Sequence, residues 1–146
     1  MAATAGQIAE AGRIPGERIA TTVETSDSAG FTTSETQVSS VTAPVVSGRV
    51  YRVRFAGGWA STAANDVVSV RIREDNSSGT QLLLRVVQIF RTGSFTSAPT
   101  LEAEYTADAT ENKVFVLTGE RIGGSGTCVL DAAATAPCYF YVDFIR

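Results

Sequence analysis

The side chains that most often carry out acid–base chemistry are scarce in this chain of 146 residues. It has no histidine, one lysine and two cysteines. The usual general base and the commonest metal ligand are therefore missing, and a serine nucleophile would lack its ordinary activating partner. The sequence predicts no catalytic residue, no metal site and no cofactor.

Carboxylates are the remaining candidates, and a glycosidase would need two of them across a cleft. Glu102 and Glu104 alternate along one candidate strand, a pattern that a solvent-facing strand also produces. Four further acidic residues lie in or beside candidate turns, without the spacing of a calcium-binding loop: Asp66, Glu74, Asp75 and Asp108. Turn formation explains them better than calcium binding does.

A glycine-rich run, Gly-Gly-Ser-Gly-Thr at 123–127, superficially resembles the loops that hold phosphate groups. It lacks the Gly-Lys-Ser/Thr ending, and no helix is predicted to follow it. We therefore expect a flexible turn between strands.

The two cysteines, Cys128 and Cys138, lie on candidate strands that flank a loop. Opposed positions in such a hairpin bring the Cβ atoms within reach of a disulfide. The alternative is a pair of small buried thiols, because free cysteine is among the most buried residue types. A zinc site of two cysteines without histidine is not expected.

Trp59, the only tryptophan, follows two glycines in a candidate loop. Two interpretations remain open. In the first, Trp59 belongs to a ligand loop at 57–65 and, with Tyr51, binds a host glycan; in the second, it fills one end of the protein core.

Four arginines alternate along two candidate strands that follow one another in the chain. If these strands pair, the arginines form a positive stripe that binds carboxylates of a partner. The alternative is a solvated face balanced by Glu102 and Glu104. The four residues are Arg52, Arg54, Arg71 and Arg73.

The elements that must position these side chains are short β-strands separated by turn residues. In the segment 49–56, Tyr51, Val53 and Phe55 alternate with polar residues, as in a half-buried antiparallel strand. The sequence predicts an all-β fold, a single antiparallel, jelly-roll-like β-sandwich over residues 36–146. Its eight candidate strands are 37–46, 49–56, 66–73, 80–91, 100–106, 113–118, 127–131 and 138–146.

The candidate strand 80–91 is apolar on both faces. One face, with Leu82, Leu84, Val86 and Phe90, is predicted to serve the core. The other needs a second cover, which a subunit interface or the chain's own arm or a loop would supply. The predicted interface residues are Leu83, Arg85, Val87 and Ile89.

Residues 1–35 are predicted to form an extended arm, because they hold too few large apolar residues to offset the backbone entropy lost on folding. A short strand at 21–25 is the one regular element expected in it. Isolated isoleucines beside a Pro-Gly turn resemble anchors for another protein; the alternative is a mobile terminus. The predicted arm contacts are Ile8, Arg13, Ile14, Pro15, Arg18 and Ile19.

Charge and hydropathy exclude several partners. The net charge of −3 and the absence of clustered positive charge argue against nucleic-acid binding. No apolar run approaches the roughly 20 residues of a membrane span. The first ten residues lack the features of a signal peptide, so we expect synthesis in a cytoplasm.

Two groups of residues carry a resemblance to a known class of proteins. Near the N-terminus they are Ala-Gly-Gln-Ile at 5–8 and Gly-Arg-Ile-Pro-Gly-Glu-Arg-Ile at 12–19; near the C-terminus they are the segments 115–121 and 138–145. The chain resembles small virion proteins of tailed bacteriophages, particularly those that infect actinobacteria. The resemblance implies a non-enzymatic capsid decoration protein, head fibre or minor tail component.

The resemblance also implies that the chain forms a homotrimer on the surface of the virion. The leading hypothesis is a decoration protein whose arm binds the major capsid protein. The second is a minor tail or receptor-binding module that binds a glycan. An enzyme is the least favoured of the three.

Overall fold

The computed structural model describes residues 14–93, 96–97 and 100–146. These residues form strands and connections, and no helix occurs among them. The strands are β1 (Arg18–Glu24), β2 (Thr36–Val45), β3 (Val50–Ala56), β4 (Gly58–Ser61), β5 (Asp66–Glu74), β6 (Gln81–Ile89), β7 (Thr96–Ser97), β8 (Leu101–Thr106), β9 (Glu111–Gly123), β10 (Cys128–Asp131) and β11 (Cys138–Phe144).

Two four-stranded antiparallel sheets form a β-sandwich, which confirms the predicted fold class. One sheet has the order β1-β11-β3-β8 and the other the order β2-β9-β5-β6. The edge strands of one sheet lie next to the edge strands of the other: β1 is beside β2, and β8 is beside β6. A small third sheet, β10-β4-β7, continues from β3 beyond Gly57.

The core lies between the two large sheets, where alternate residues of each strand point inward. In β5, Val68, Val70 and Ile72 are fully buried, whereas Arg71 and Arg73 lie on the outer face. Burying an aliphatic side chain of this size contributes about 1.5–3 kcal/mol to folding. The two-residue period of the sequence therefore determines which face of β5 meets the core.

Trp59 fills one end of this core and does not stand in an exposed loop. It lies in β4 with 0% of its surface exposed. Its ring centroid is 6.1 Å from that of Phe31 and 5.9 Å from that of Phe55. Gly119 makes room for this cluster, since a Cβ atom there would lie 2.5 Å from the Phe31 ring. The core interpretation of Trp59 is confirmed, and its assignment to a ligand loop is corrected.

Each of the eight candidate strands corresponds to a strand of the structure, but the predicted arm does not stay outside the sandwich. Its residues 18–24 form β1, which pairs antiparallel with β11. Arg18 contacts Asp143, and Ile19 packs against the core. The backbone groups of this segment form hydrogen bonds with the distant strand β11, and nothing in the segment's own sequence predicts that partner. Arg18 and Ile19 thus hold the sandwich together.

The remaining predicted arm contacts divide into two groups. Ile14 is 72% exposed and Pro15 is also exposed. Ile8 and Arg13 lie outside the described residues.

The C-terminal half of β6 presents its faces in the opposite sense to the prediction, whereas Leu82 packs partly against the core as predicted. Val87 and Ile89, expected at a subunit interface, are buried in the chain's own core, and Leu83 packs partly against it. Arg85, from the same predicted set, is exposed. The register with β5, which places Val87 opposite Val68, decides which face turns inward. A strand that is apolar on both faces leaves that choice open in the sequence.

Candidate functional site

The four arginines do not form one positive stripe, because β3 and β5 belong to different sheets. Arg52 and Arg54 lie on the outer face of β3, and both form an ion pair with Glu102 of β8. The Nε atom of Arg52 is 3.0 Å from Oε1 of Glu102. Arg54 also approaches Asp143, at 3.8 Å. Cross-strand ion pairs of this kind contribute modestly at a surface. The alternative of a face balanced by acidic residues is therefore confirmed for these two arginines.

Arg71 and Arg73 join a second network on the outer face of the other sheet. Arg73 donates to both carboxylate oxygens of Glu35, at 2.7 and 3.0 Å, and Arg71 lies 2.9 Å from Glu120. Burial opposes ionisation of Glu35, but hydrogen bonds from Arg73 and Thr118 outweigh it and lower the pKa of Glu35. This network braces the residue before β2 against β5 and β9.

The only lysine is held in a similar structural cage. Lys113 is nearly buried, and its Nζ lies 3.0 Å from both Glu74 and Asp75. The ammonium also stands over the ring of Tyr105, 5.8 Å from its centroid. Burial disfavours the charge of Lys113, yet the bonds to Glu74 and Asp75 raise its pKa. A lysine held charged in this way is no nucleophile.

Asp66 organises the glycine-rich run, which is therefore not a loose turn. Its fully buried carboxylate accepts hydrogen bonds from the Ser61 hydroxyl and from the backbone N–H groups of Ser125 and Gly126. Burial opposes ionisation, but these hydrogen bonds lower the pKa of Asp66. A Cβ atom at Gly124 would lie 1.8 Å from the carboxylate, so glycine is required at that close approach. The sequence predicts that a strand starts at Asp66, but it does not predict the hydrogen bonds between Asp66 and the glycine-rich run.

The two cysteines are free and buried, which corrects the hairpin disulfide and supports the alternative. Cys128 is opposite Ser61 in the small sheet, whereas Cys138 is opposite Glu24 in the first large sheet. The two residues therefore do not face each other across one hairpin. Burial raises the pKa of both thiols, which keeps them protonated and unreactive.

A groove with a volume of about 450 Å³ lies on the outer face of β4 and β10. Residues 127, 129 and 131 alternate on this face, and the segment before Phe31 runs beside β10. That segment brings Asp27 next to Asp131, because Asp27 accepts a hydrogen bond from the backbone N–H of Ala132 at 3.0 Å. Burial, and then the negative charge of Asp27, raise the pKa of Asp131. Sequence reasoning missed this pair, whose members are about a hundred residues apart.

A second surface feature is apolar. Strand β6 ends its sheet, and Leu84 and Val86 stand exposed on its outer face. Phe90, just beyond β6, is 64% exposed, and Ile122 of β9 is 52% exposed on the same sheet. We call these four residues the apolar strip. Leu84, Val86 and Phe90 share the two-residue period of β6, whereas Ile122 lies on β9, with β5 between the two strands. Exposed apolar side chains that share one face of a sheet are candidates for an interaction site.

The part of the chain that the structure describes holds neither a cluster of metal ligands nor a membrane-spanning helix. No group of three or more histidine, cysteine or acidic residues is placed to hold a metal ion there. No helix within the described ranges has the length and apolar character needed to cross a membrane.

Comparison with known proteins finds structural likeness only. No protein-family model matches the sequence, and no curated protein matches it. Among solved structures, the chain is similar to VP2 of infectious bursal disease virus in a subviral particle, with 9% identity and a TM-score of 0.48, over 89% of this chain and 38% of that one.

Two further likenesses involve carbohydrate-related proteins. A carbohydrate-binding module, CBM4, shares 17% identity with a TM-score of 0.36, over 77% of this chain and 64% of that one. A family 43 arabinoxylan arabinofuranohydrolase from Bacillus subtilis shares 16% identity with a TM-score of 0.33, over 90% of this chain and 27% of that one. The chain thus spans less than two thirds of each of these structures, and none of the three assigns a function to it.

Proposed function

We propose that this chain is a non-enzymatic structural protein of a bacteriophage virion, most specifically a capsid decoration protein. In this proposal the N-terminal residues bind the major capsid protein, and the sandwich associates with further copies of itself as a homotrimer. The observation that carries the proposal is the apolar strip beside the open edge of β6.

The strip suits assembly for two physical reasons. Leaving Val86, at 57% exposure, and Phe90 in water is unfavourable, and contact with another subunit would remove that apolar surface from solvent. The outer edge of β6 pairs with no described strand, so its backbone groups are available for strand addition. Both features favour a protein–protein interface of the kind that assembled particles use.

The start of the described chain supports a binding role for the residues before it. Residues 14–17 form a tight turn, in which the Glu17 N–H donates to the Ile14 carbonyl at 2.9 Å and Gly16 has a φ of 89°. The Gly16 N–H donates to the Phe144 carbonyl at 2.7 Å, which ties the turn to β11. The turn leaves Ile14 exposed to solvent. In the proposal, Ile14 binds the capsid shell together with Ile8 and Arg13.

Co-sedimentation with purified capsids of the phage that encodes the chain tests the proposal. We expect the full chain to sediment with capsids and a chain lacking residues 1–13 to remain in the supernatant. Circular dichroism of the truncated chain controls for folding. Failure of the full chain to bind capsids contradicts the decoration proposal, and full binding by the truncated chain contradicts the role of the N-terminal residues.

The glycan-binding alternative has lost the feature on which it rested. Trp59 and Tyr51 are both buried in the core, with 0% and 2% of their surfaces exposed, so neither presents a ring to a sugar. We therefore do not propose it as a second function.

A further inference from the structure

We infer that the groove on the outer face of β4 and β10 is a docking site for a basic side chain, arginine or lysine, of a partner protein. The inference deepens the proposed function, since the partner would then be the capsid shell or another virion protein. It rests on the shape of the groove and on a pair of acidic side chains in its lining that have no basic partner in the described part of the chain.

The groove offers a short apolar floor and a polar rim. Ala60 of β4 and Val129 of β10 lie side by side in the sheet and form the floor. The hydroxyl-bearing Thr62, Thr92 and Thr127 line the rim. A methylene stem lies well on such a floor while its charged end group reaches a polar rim. The volume of about 450 Å³ is ample for one long side chain.

The acidic residues of the groove differ from those of the two ion-pair networks. The carboxylates of Glu35, Glu102 and Asp143 each contact an arginine of the same chain. Asp27 and Asp131 instead lie side by side and share a hydrogen bond, and no arginine or lysine of the described residues forms an ion pair with either. A guanidinium or ammonium group beside the pair would favour ionisation of both carboxyl groups and donate charge-assisted hydrogen bonds to their oxygens.

Two other occupants fit the groove less well. A sugar is usually held against an aromatic ring, and the lining contains none among the described residues. A calcium site is usually built around several carboxylates, and the described residues place no group of three or more metal-ligating side chains together. The basic side chain of a protein is the occupant that charge complementarity favours.

An NMR titration of the full chain tests the inference, with N-acetyl-arginine amide as the probe. We expect chemical-shift changes centred on the amides of Ala60, Val129 and Ala132. The double variant Asp27→Asn, Asp131→Asn should bind the probe about tenfold more weakly, because a hydrogen bond to a charged group is lost. Asp108→Asn, which changes an exposed acidic residue elsewhere, is the matched control and should bind normally.

Several results would overturn the inference. These are the absence of shifts at the groove, equal shifts in the double variant, or equal shifts with the neutral probe N-acetyl-glutamine amide. Shifts at the groove with glucose but not with the arginine probe would overturn it in favour of a sugar. The dispersion of the amide spectrum shows whether the double variant is folded.

The failure of this inference can be told apart from the failure of the proposed function. If the full chain binds capsids and the double variant binds them equally well, the groove is not a docking site but the decoration role stands. If the full chain does not bind capsids, the decoration role fails, and the arginine titration still decides whether the groove accepts a basic side chain.

Discussion

Asp66 shows how much one residue contributes to the small sheet. It joins Ser61 at the end of β4 to the backbone of the glycine-rich run before β10. A buried carboxylate is tolerated there because backbone and hydroxyl donors replace the water that it loses. The sequence around Asp66 looks like an ordinary strand start, so the bonds of its side chain could not be predicted.

We predict that Asp66→Ala lowers the free energy of unfolding by about 2–4 kcal/mol, since several charge-assisted hydrogen bonds are lost. Urea denaturation at neutral pH measures this. Asp108→Ala, at an exposed position, should change stability by less than about 0.5 kcal/mol. A loss no larger than that of the control would contradict the structural role of Asp66.

Asp66 also makes the free energy of unfolding depend on pH in the acidic range. Its folded pKa lies below the ordinary value, so its contribution is present at neutral pH and is lost as the pH falls through the folded pKa. We predict that the stability difference between the wild type and Asp66→Asn narrows on acidification. Denaturation midpoints measured at a series of acidic pH values check this; a constant difference would refute it.

Asp131 should behave in the opposite way. Its folded pKa is raised, so its protonated form contributes stability at low pH, and this contribution is lost as the pH rises through the folded pKa. We predict that Asp131→Asn is as stable as the wild type or more stable at neutral pH, by at most about 1 kcal/mol. Thermal denaturation at acidic and neutral pH tests this. A clear loss of stability at neutral pH would mean that the charged pair holds the fold together.

At the scale of elements, β1 makes part of the predicted N-terminal arm a strand of the sandwich. It covers one edge of β11 and contributes Ile19 to the core. Arg18 adds an ion pair to Asp143 at 3.1 Å and stacks over Tyr141, 3.6 Å from the ring centroid. The chain from Arg18 onward therefore belongs to the sandwich, and the proposed capsid-binding role falls to the residues that precede β1.

Two truncations separate these roles. A chain lacking residues 1–13 should keep the melting temperature of the full chain within a few degrees. A chain lacking residues 1–24 should melt at least about 10 °C lower, because it loses a paired strand and exposes the edge of β11. Differential scanning calorimetry makes the comparison. Equal melting temperatures for the two truncations would show that β1 contributes little.

At the scale of the whole molecule, the two sheets differ in what they present to a partner. The outer face of the first sheet carries the ion pairs between β3 and β8, whereas the outer face of the second carries both the apolar strip and the network around Arg71 and Arg73. In the proposed assembly, association through the second sheet would bury the strip and leave the first sheet toward solvent. The subunit would then have one buried and one exposed side.

We predict that Val86→Glu combined with Phe90→Glu reduces self-association of the protein, because it places charge in the apolar strip. Light scattering after size-exclusion chromatography measures the oligomeric state. Val23→Glu, at an exposed apolar position on the first sheet, is the matched control and should leave the oligomeric state unchanged. An unchanged oligomer in the double variant, or a monomer in the wild type, would contradict assembly through the strip.

The sequence by itself determined the fold class and the approximate position of eight strands. The two-residue alternation at Tyr51, Val53 and Phe55 is a local property, and burial follows from it directly. The scarcity of side chains for acid–base catalysis could likewise be read from the composition alone. The membership of residues 18–24 in the sandwich could not, because their pairing partner is more than a hundred residues away.

Only the tertiary structure decided which face of β6 is buried, which sheet holds each arginine pair and which acidic residues meet. Val87 turned inward because the register with β5 placed it there, although the opposite face is equally apolar. Asp27 and Asp131 became neighbours because the segment before Phe31 runs beside β10. The buried face of β6 depends on its register with the neighbouring strand β5, and the other two outcomes depend on contacts between distant segments. The local pattern of a single strand records neither its register nor its distant partners.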